Sequence, residues 1–586
     1  MSEPQDLAGR AKRAAKSAVR KGLEKAPGAA RIARAAYFAA LNWSPSQHLA
    51  YRTWLERSHD VATGDGSGPS LTVVLDVTGQ SPADADAAIA RVVAQKYRRW
   101  DLVVTSDREV AADLPAKARA LVVEQSTAAS RMNAGAAVSE GEYVVFVGPD
   151  DVLYPESLAS LAAVVGTADI VYGGDDVAVL SRRAGVQRVV RKDPFFKPAW
   201  NPELLHSTPY LGAVTLVRTA LVVAAGVRDL PGAELWDLQL RLTRGGATVA
   251  HADGIVAGHL STRPAMSDRS ARTVLSDALA AEGSPSCTVA PGHLPGTWSV
   301  RYPVAGEPLV SIVIPSKNAY DVVRRCVESI YATTAYRSYE VVLVDTGSDD
   351  PEVLGWYEEM ADLHESFRVV EWPERPFSYA NSCNAGAAEA RGEVLVMLNN
   401  DTEVLDPSWL EVLVAEAQRP EVGIVGCLLL YPDRLTVQHA GIGLGIKTAA
   451  GNTLAGLRLD GRLSRMQRLL LWTRRDASAV TAACIAVRKA VYDEVSGFDP
   501  EFRITFNDVD LCLRVGALGY RIVYTPDVRL LHHESKSIAP TRDWSELYAA
   551  RDLLSSRWGA VVADDPQLNR HLARTTTSPR LPLYGR

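Results

Sequence analysis

Asn133-Ala-Gly-Ala-Ala-Val-Ser-Glu-Gly-Glu-Tyr-Val-Val-Phe-Val-Gly-Pro-Asp150 and Asn384-Ala-Gly-Ala-Ala-Glu-Ala-Arg-Gly-Glu-Val-Leu-Val-Met-Leu-Asn-Asn-Asp401 lie over each other without a gap. The chain therefore carries one unit twice. In each copy a helix pattern of small residues passes through Gly-Glu into an apolar run, and the run stops at an aspartate. Open parallel sheets bind ligands at the carboxyl ends of their strands, so Asp150 and Asp401 mark two candidate clefts.

Outward from these stretches, apolar strand patterns recur at Leu71-Thr-Val-Val-Leu75 and Leu102-Val-Val-Thr105 in the first copy. Leu309-Val-Ser-Ile-Val-Ile314 and Glu340-Val-Val-Leu-Val-Asp345 stand in the second. Strands alternating with helical patterns predict an α/β fold with a mostly parallel sheet in each half. At 586 residues the chain exceeds one core. The expected division is a basic helical segment over 1–62, a first unit over 70–280, a connector over 281–308, a second unit over 309–538 and a helical tail over 539–586. The connector is rich in Gly, Pro and Ser and lacks periodicity. Ile32 to Trp43 reads as a short helix stopped by Ser44-Pro45, and the tail as a helix from about Asp543 to Trp558.

Composition narrows the classes of function. Hydrophobic content of 47% with 23% charged residues suits an ordinary globular protein, and a net charge of -6 argues against a general nucleic-acid binder. The six cysteines are scattered singly, which indicates neither a disulfide framework nor a zinc knuckle. No apolar run approaches the roughly 20 residues needed to span a bilayer, and no signal-peptide pattern is visible, so a cytoplasmic protein is expected. Between Arg10 and Arg34 the basic residues Arg10, Lys12, Arg13, Lys16, Arg20, Lys21, Lys25, Arg31 and Arg34 face a lone Glu24. Such a stretch suits peripheral contact with an anionic membrane surface at the inner face of the plasma membrane.

In the second copy, Ser311-Ile-Val-Ile-Pro-Ser-Lys-Asn318, Glu340-Val-Val-Leu-Val-Asp-Thr-Gly-Ser-Asp-Asp350 and Val394-Leu-Val-Met-Leu-Asn-Asn-Asp-Thr402 each end in polar residues, and side by side those ends would form one cleft. Val437-Gln-His-Ala-Gly441, Ser478-Ala-Val-Thr-Ala-Ala-Cys484, Gly497-Phe-Asp499, Phe506-Asn-Asp-Val-Asp-Leu-Cys-Leu-Arg514 and Leu531-His-His-Glu-Ser535 follow in order. This series resembles the family 2 glycosyltransferases of the GT-A fold, in particular tandem, rhamnosyltransferase-like enzymes of bacterial surface polysaccharides. The resemblance implies two tandem GT-A domains, Rossmann-like, and an enzyme that moves a sugar with inversion. Its donor would be a nucleotide-diphosphate sugar, and its acceptor a growing cell-envelope glycan, free or lipid-linked.

The resemblance also implies site residues. Donor contacts fall to Pro315, Ser316, Asp345, Asn384, Asn400 and Asp401, with Asp345 on the base or ribose. A leaving diphosphate needs positive charge beside it, and a hard cation, Mn²⁺ or Mg²⁺, prefers carboxylate oxygens. Asp401 occupies the place of the family's metal-binding D-x-D element, here Asn399-Asn400-Asp401. A histidine completes the site, and His532 and His533 are the candidates. Counting between the copies sets His259 opposite His532. The general base by resemblance is Asp508. Asp510 is the rival, but about 200° separates the two on a helix. The competing reading of Asp508 is a helix N-cap. Gly441-Ile-Gly443-Leu-Gly445 imitates a dinucleotide loop without the surrounding strand, turn and helix.

In the first copy Ser106 aligns with Asp345 and Leu235 with Asp508, while Asp150 and His259 remain. Leucine cannot accept a proton, so this unit reads as a degenerate transferase domain that positions the acceptor or packs on its partner. Rival readings are a second active centre using Glu234 or Asp237, or a chain that only binds glycan or nucleotide. A nucleotidyltransferase would need a glycine- and basic-rich loop after its first strand, which Ser316-Lys-Asn-Ala-Tyr320 is not.

Overall fold

The strands of both copies are near-continuous apolar runs, and such runs form parallel sheets covered by helices on both faces. Leu71–Asp76, Val310–Ser316 and Val394–Leu398 are buried almost throughout. The structure is a computed structural model describing residues 44–57, 68–109, 114–183, 186–260, 266–447, 449–533 and 544–582. The basic stretch Arg10–Arg34 and the expected helix Ile32–Trp43 lie outside the described residues.

Both sheets run in the same spatial order. The first passes from Ala118–Val122 through Trp100–Ser106, Leu71–Asp76, Tyr143–Val147, Leu216–Arg218, Ile170–Arg183 and Val249–Leu260 to Asp151–Leu153. The second repeats it as Phe367–Glu371, Tyr339–Asp345, Val310–Ser316, Val394–Leu398, Cys484–Arg488, Val422–Leu430, Arg521–His532 and Thr402–Val404. In each, the central strand pairs in parallel with one neighbour that precedes the sheet's turn-about and one that follows it. That is the switch point at which open α/β sheets bind ligands. The register also repeats: Leu71 lies opposite Trp100 and Tyr143, as Val310 lies opposite Tyr339 and Val394.

The residues shared by the opening stretches account for this repetition. The helices Ala128–Ala137 and Tyr379–Glu389 press on the central strands at Gly135 and Gly386. A Cβ at Gly135 would lie 2.5 Å from Val74, and one at Gly386 2.4 Å from Val313. Gly141 and Gly392 admit the backbone of the central strand, where a Cβ would come within 2.5 Å of the Thr72 nitrogen and 2.6 Å of the Ser311 nitrogen.

Ser44 and Pro45 lie within the helix Ser44–Arg57. Two local expectations are corrected. The connector is not featureless: Thr288–Pro291 and Trp298–Arg301 form an antiparallel ribbon that buries Trp298 and Val300. The tail helix extends over Trp544–Ala563, with non-helical backbone at Trp558. No helix among the described residues is long and apolar enough to cross a membrane.

Candidate active site

Three parallel strand ends build the floor of the second cleft. Asp345 ends one strand, and its carboxylate is fixed by the Ser348 N–H at 3.0 Å and the Ser348 hydroxyl at 2.5 Å. On the central strand, Ser316 accepts a hydrogen bond from Asn400 Nδ2 at 3.0 Å, which links it to the third strand end. Pro315 lies beside Val344 in the same register. Asp401, at 6% exposure, follows Asn400 into the cleft.

The long strand Arg521–His532 brings His532 against Asp401, with Nε2 2.9 Å from Oδ1. Gln438 Oε1 lies 2.6 Å from His532 Nδ1, so the opposite ring nitrogen is aimed at the carboxylate. His533 turns away; its ring meets Glu403 at 3.0 Å and Arg325 at 3.4 Å. Strand register matches the copy-to-copy count, because Thr402 pairs with His532 as Asp151 pairs with His259. Asp401 and His532 form a hard oxygen and imidazole pair that fits a divalent cation. No group of three or more His, Cys, Asp or Glu converges among the described residues.

Asp508 lies in the first turn of the helix Asn507–Ala517, whose N-cap is Phe506, so the N-cap reading does not hold. Its carboxylate accepts from the Ala482 N–H at 3.3 Å and the Val509 N–H at 2.9 Å, and the Thr481 side chain also bonds it. Burial raises its pKa above the ordinary aspartate range against the pull of these donors. Asp510 is fully committed elsewhere, to Arg514 at 2.7 Å, Arg557 at 2.9 Å and Trp558 Nε1 at 2.9 Å.

One expected donor ligand is corrected. Asn384 uses both halves of its amide on the Phe498 backbone, at 2.8 and 2.9 Å, and accepts from Tyr492 at 2.6 Å. Asn133 braces Val227 in the same way at 2.8 Å, so the asparagine is part of the framework in both copies. Gly441, Gly443 and Gly445 lie along a short antiparallel ribbon, not a phosphate loop. Gln438 and Thr481 went without a role in the sequence, although both lie inside stretches that carried the resemblance.

The first cleft is built differently. Ser106 takes Asp345's register position and Leu235 packs into an apolar cluster. Asp237 is bound by Arg228 at 3.0 Å and Arg241 at 2.8 Å, which removes it as a base. Beside His259, Asp175 pairs with Lys197 at 2.8 Å and with Arg465 of the second unit. Burial works to raise the Asp175 pKa, but the cations outweigh it and hold the carboxyl well below the usual range. The cavity among Asp151, Asp175, Lys197 and His259 measures about 30 Å³, room for a water or two.

Residues 311–495, which carry Asp345 and Asp401, match the family Glycosyl transferase family 2. The second unit is a glycosyltransferase family 2 domain. The family 2 domain and the unit before it are together similar to the O-antigen biosynthesis protein RfbC of Myxococcus xanthus, at 36% identity over 541 residues, 87% of this chain and 41% of that protein. The uncharacterized protein y4gI of Sinorhizobium fredii is 33% identical over 542 residues, 86% of this chain and 58% of its own length. An N-acetylglucosaminyl-diphospho-decaprenol L-rhamnosyltransferase of Mycobacterium tuberculosis is 26% identical over 147 residues, 24% of this chain and 48% of that enzyme. The chain spans about half the length of the first two relatives.

Proposed function

We propose that the family 2 domain transfers a sugar from a nucleotide-diphosphate donor to a growing cell-envelope or surface glycan, with inversion at the anomeric carbon. Three observations support this reading: the contact of Asp401 with His532, the neighbouring parallel strand ends that carry Ser316 and Asp345, and the match of residues 311–495 to family 2. Asp345 and Ser316 would hold the nucleoside, and Asp401 and His532 a divalent cation beside the diphosphate. Bound there, Mn²⁺ or Mg²⁺ supplies positive charge for the leaving phosphate oxygens. An acceptor hydroxyl attacks the anomeric carbon from the face opposite the diphosphate, Asp508 takes the hydroxyl proton, and the nucleoside diphosphate departs with the bonding electron pair. A carboxylate whose pKa is raised by burial is a better base than an exposed one.

The first unit serves as a scaffold. Leu235 stands at the base position, and Asp237 and Asp175 are held in ion pairs, which favours a supporting role over a second active centre. The relatives named for O-antigen biosynthesis and for rhamnosyl transfer to a lipid diphosphate support an envelope glycan as acceptor. Peripheral contact of the basic N-terminal stretch with the inner face of the plasma membrane would bring the enzyme to such acceptors. The test is a panel of UDP-, GDP- and dTDP-sugars with purified protein, reading release of nucleoside diphosphate with and without added Mn²⁺. Release from one donor class is expected, and no release from any donor would overturn the reading.

A further inference from the structure

The short strand Val437–His439 touches both halves of the site. Gln438 aims His532 at Asp401, as described. The next side chain, His439, is 1% exposed and belongs to no role assigned so far. Its Nε2 faces two backbone donors, the Gly441 N–H at 3.2 Å and the Thr481 N–H at 3.5 Å, so this nitrogen must be an acceptor. The proton then sits on Nδ1 and is donated to Asn452 Oδ1 at 2.9 Å. Two further bonds tie the same turn together. Ile442 N–H reaches the Ala479 carbonyl at 2.7 Å, and Arg475 Nη2 reaches the Ala440 carbonyl at 2.6 Å. The segment gripped in this way, Ala479 to Ala482, is the one whose Thr481 and Ala482 hold the Asp508 carboxylate.

We propose that His439 is a positioning residue, whose Nε2 fixes the Gly441 turn and the Thr481–Ala482 segment and thereby sets the place of Asp508. The proposal rests on the reading of Asp508 as the base. The strand thus ties the cation side of the cleft, through Gln438, to the proton-accepting side, through His439. Protonation of the ring would turn its acceptor into a donor facing two donors. Burial opposes that, and the Arg475 guanidinium and His532 also lower the pKa, to about 4.

Two substitutions separate positioning from mere packing. His439→Gln keeps an oxygen acceptor near the place of Nε2, and His439→Leu fills the space without one. With a donor sugar that the natural protein consumes, His439→Leu should lower kcat roughly ten- to hundredfold with the donor KM nearly unchanged, as expected for a misplaced base. His439→Gln should recover most of that loss. Turnover by the leucine variant like that of the natural protein, or a glutamine variant as impaired as the leucine one, would overturn the proposal. A measurement independent of activity covers a leucine variant that does not fold and a protein that consumes no donor. In ¹⁵N-histidine spectra of the full chain, with His439 identified by its loss in His439→Gln, the ring should be the neutral Nδ1–H tautomer from about pH 5 to about 8. An Nε2–H tautomer, or a charged ring near neutral pH, would remove the acceptor on which the proposal stands. Failure of every donor sugar with the expected tautomer intact would count against the functional reading alone.

Discussion

Asp508 carries a conflict between stability and function. Burial raises its pKa, so its ionisation costs the fold something near pH 7. A group with a raised folded-state pKa contributes stability fully present below its unfolded value and lost as pH rises through the folded value. Asp508→Asn removes the charge and keeps an acceptor for the Ala482 N–H. It should therefore unfold at an equal or higher temperature near neutral pH while turnover falls at least about a hundredfold; a destabilised but active variant would contradict both halves. The histidine pair is decided by orientation. His532→Ala should weaken Mn²⁺-dependent nucleotide binding in calorimetry and His533→Ala should not, because only the first ring meets Asp401. That distinction was legible in the sequence through the copy-to-copy count, whose offset the strand registers repeat. Asn384 was misread because a motif does not show which way an amide is spent. Its repetition as Asn133, in a unit without a base, was the available signal that it belongs to the framework.

At the scale of elements, the strands were legible because buried parallel strands announce themselves as unbroken apolar runs. The antiparallel strand Cys484–Arg488, inserted between Val394–Leu398 and Val422–Leu430, was not, since pairing partners distant in sequence leave no local pattern. The connector's ribbon was hidden for a related reason: its four-residue strands are too short for an alternation to be read. The glycines of the repeated stretch make a sharp expectation. A methyl group at Gly386 would overlap Val313 and Val344, at 2.4 and 2.7 Å, on the strands that end in the cleft. Gly386→Ala should cost about 1–3 kcal/mol in denaturant unfolding, the usual scale for overpacking. An unchanged midpoint would mean that the helix Tyr379–Glu389 can lift from the sheet without penalty.

Across the whole molecule, the two units are joined by buried charge. Glu203 of the first unit is fully buried against Arg419 at 3.1 Å, Arg474 at 2.9 Å and Arg521 at 2.7 Å, all from the second. Asn201, two residues earlier, exchanges hydrogen bonds of 3.0 Å with the Asp476 backbone. The tail completes the joint, with Asn569 bonded to the Lys197 and Asp253 carbonyls at 2.9 Å and Asp565 accepting the Leu444 N–H at 2.7 Å. Lys197 and Asn201, four residues apart in the first unit, therefore both serve the interface. Burial acts to raise the Glu203 pKa, but the three guanidinium groups outweigh it and push it well below the usual range. Stability from a depressed carboxylate is present above its unfolded pKa and lost as pH falls toward the folded one. Glu203→Ala should cost about 3–5 kcal/mol near neutral pH, the scale for breaking a buried pair, and the difference should shrink in acid. A constant difference at all pH values would remove the ion pairs from the joint.

The division of labour between the units is the central claim, and one comparison tests it most directly: release of nucleoside diphosphate and sugar transfer by Asp401→Ala beside Asp150→Ala. The two aspartates hold the same place in the repeated stretch, and Asp401 meets the His532 ring at 2.9 Å, in the unit that keeps aspartates at 345 and 508. Asp401→Ala should abolish release, and Asp150→Ala should leave donor hydrolysis near that of the natural protein, with any loss confined to long acceptors. Substantial transfer surviving Asp401→Ala and disappearing with Asp150→Ala would place the chemistry in the first unit and contradict the account.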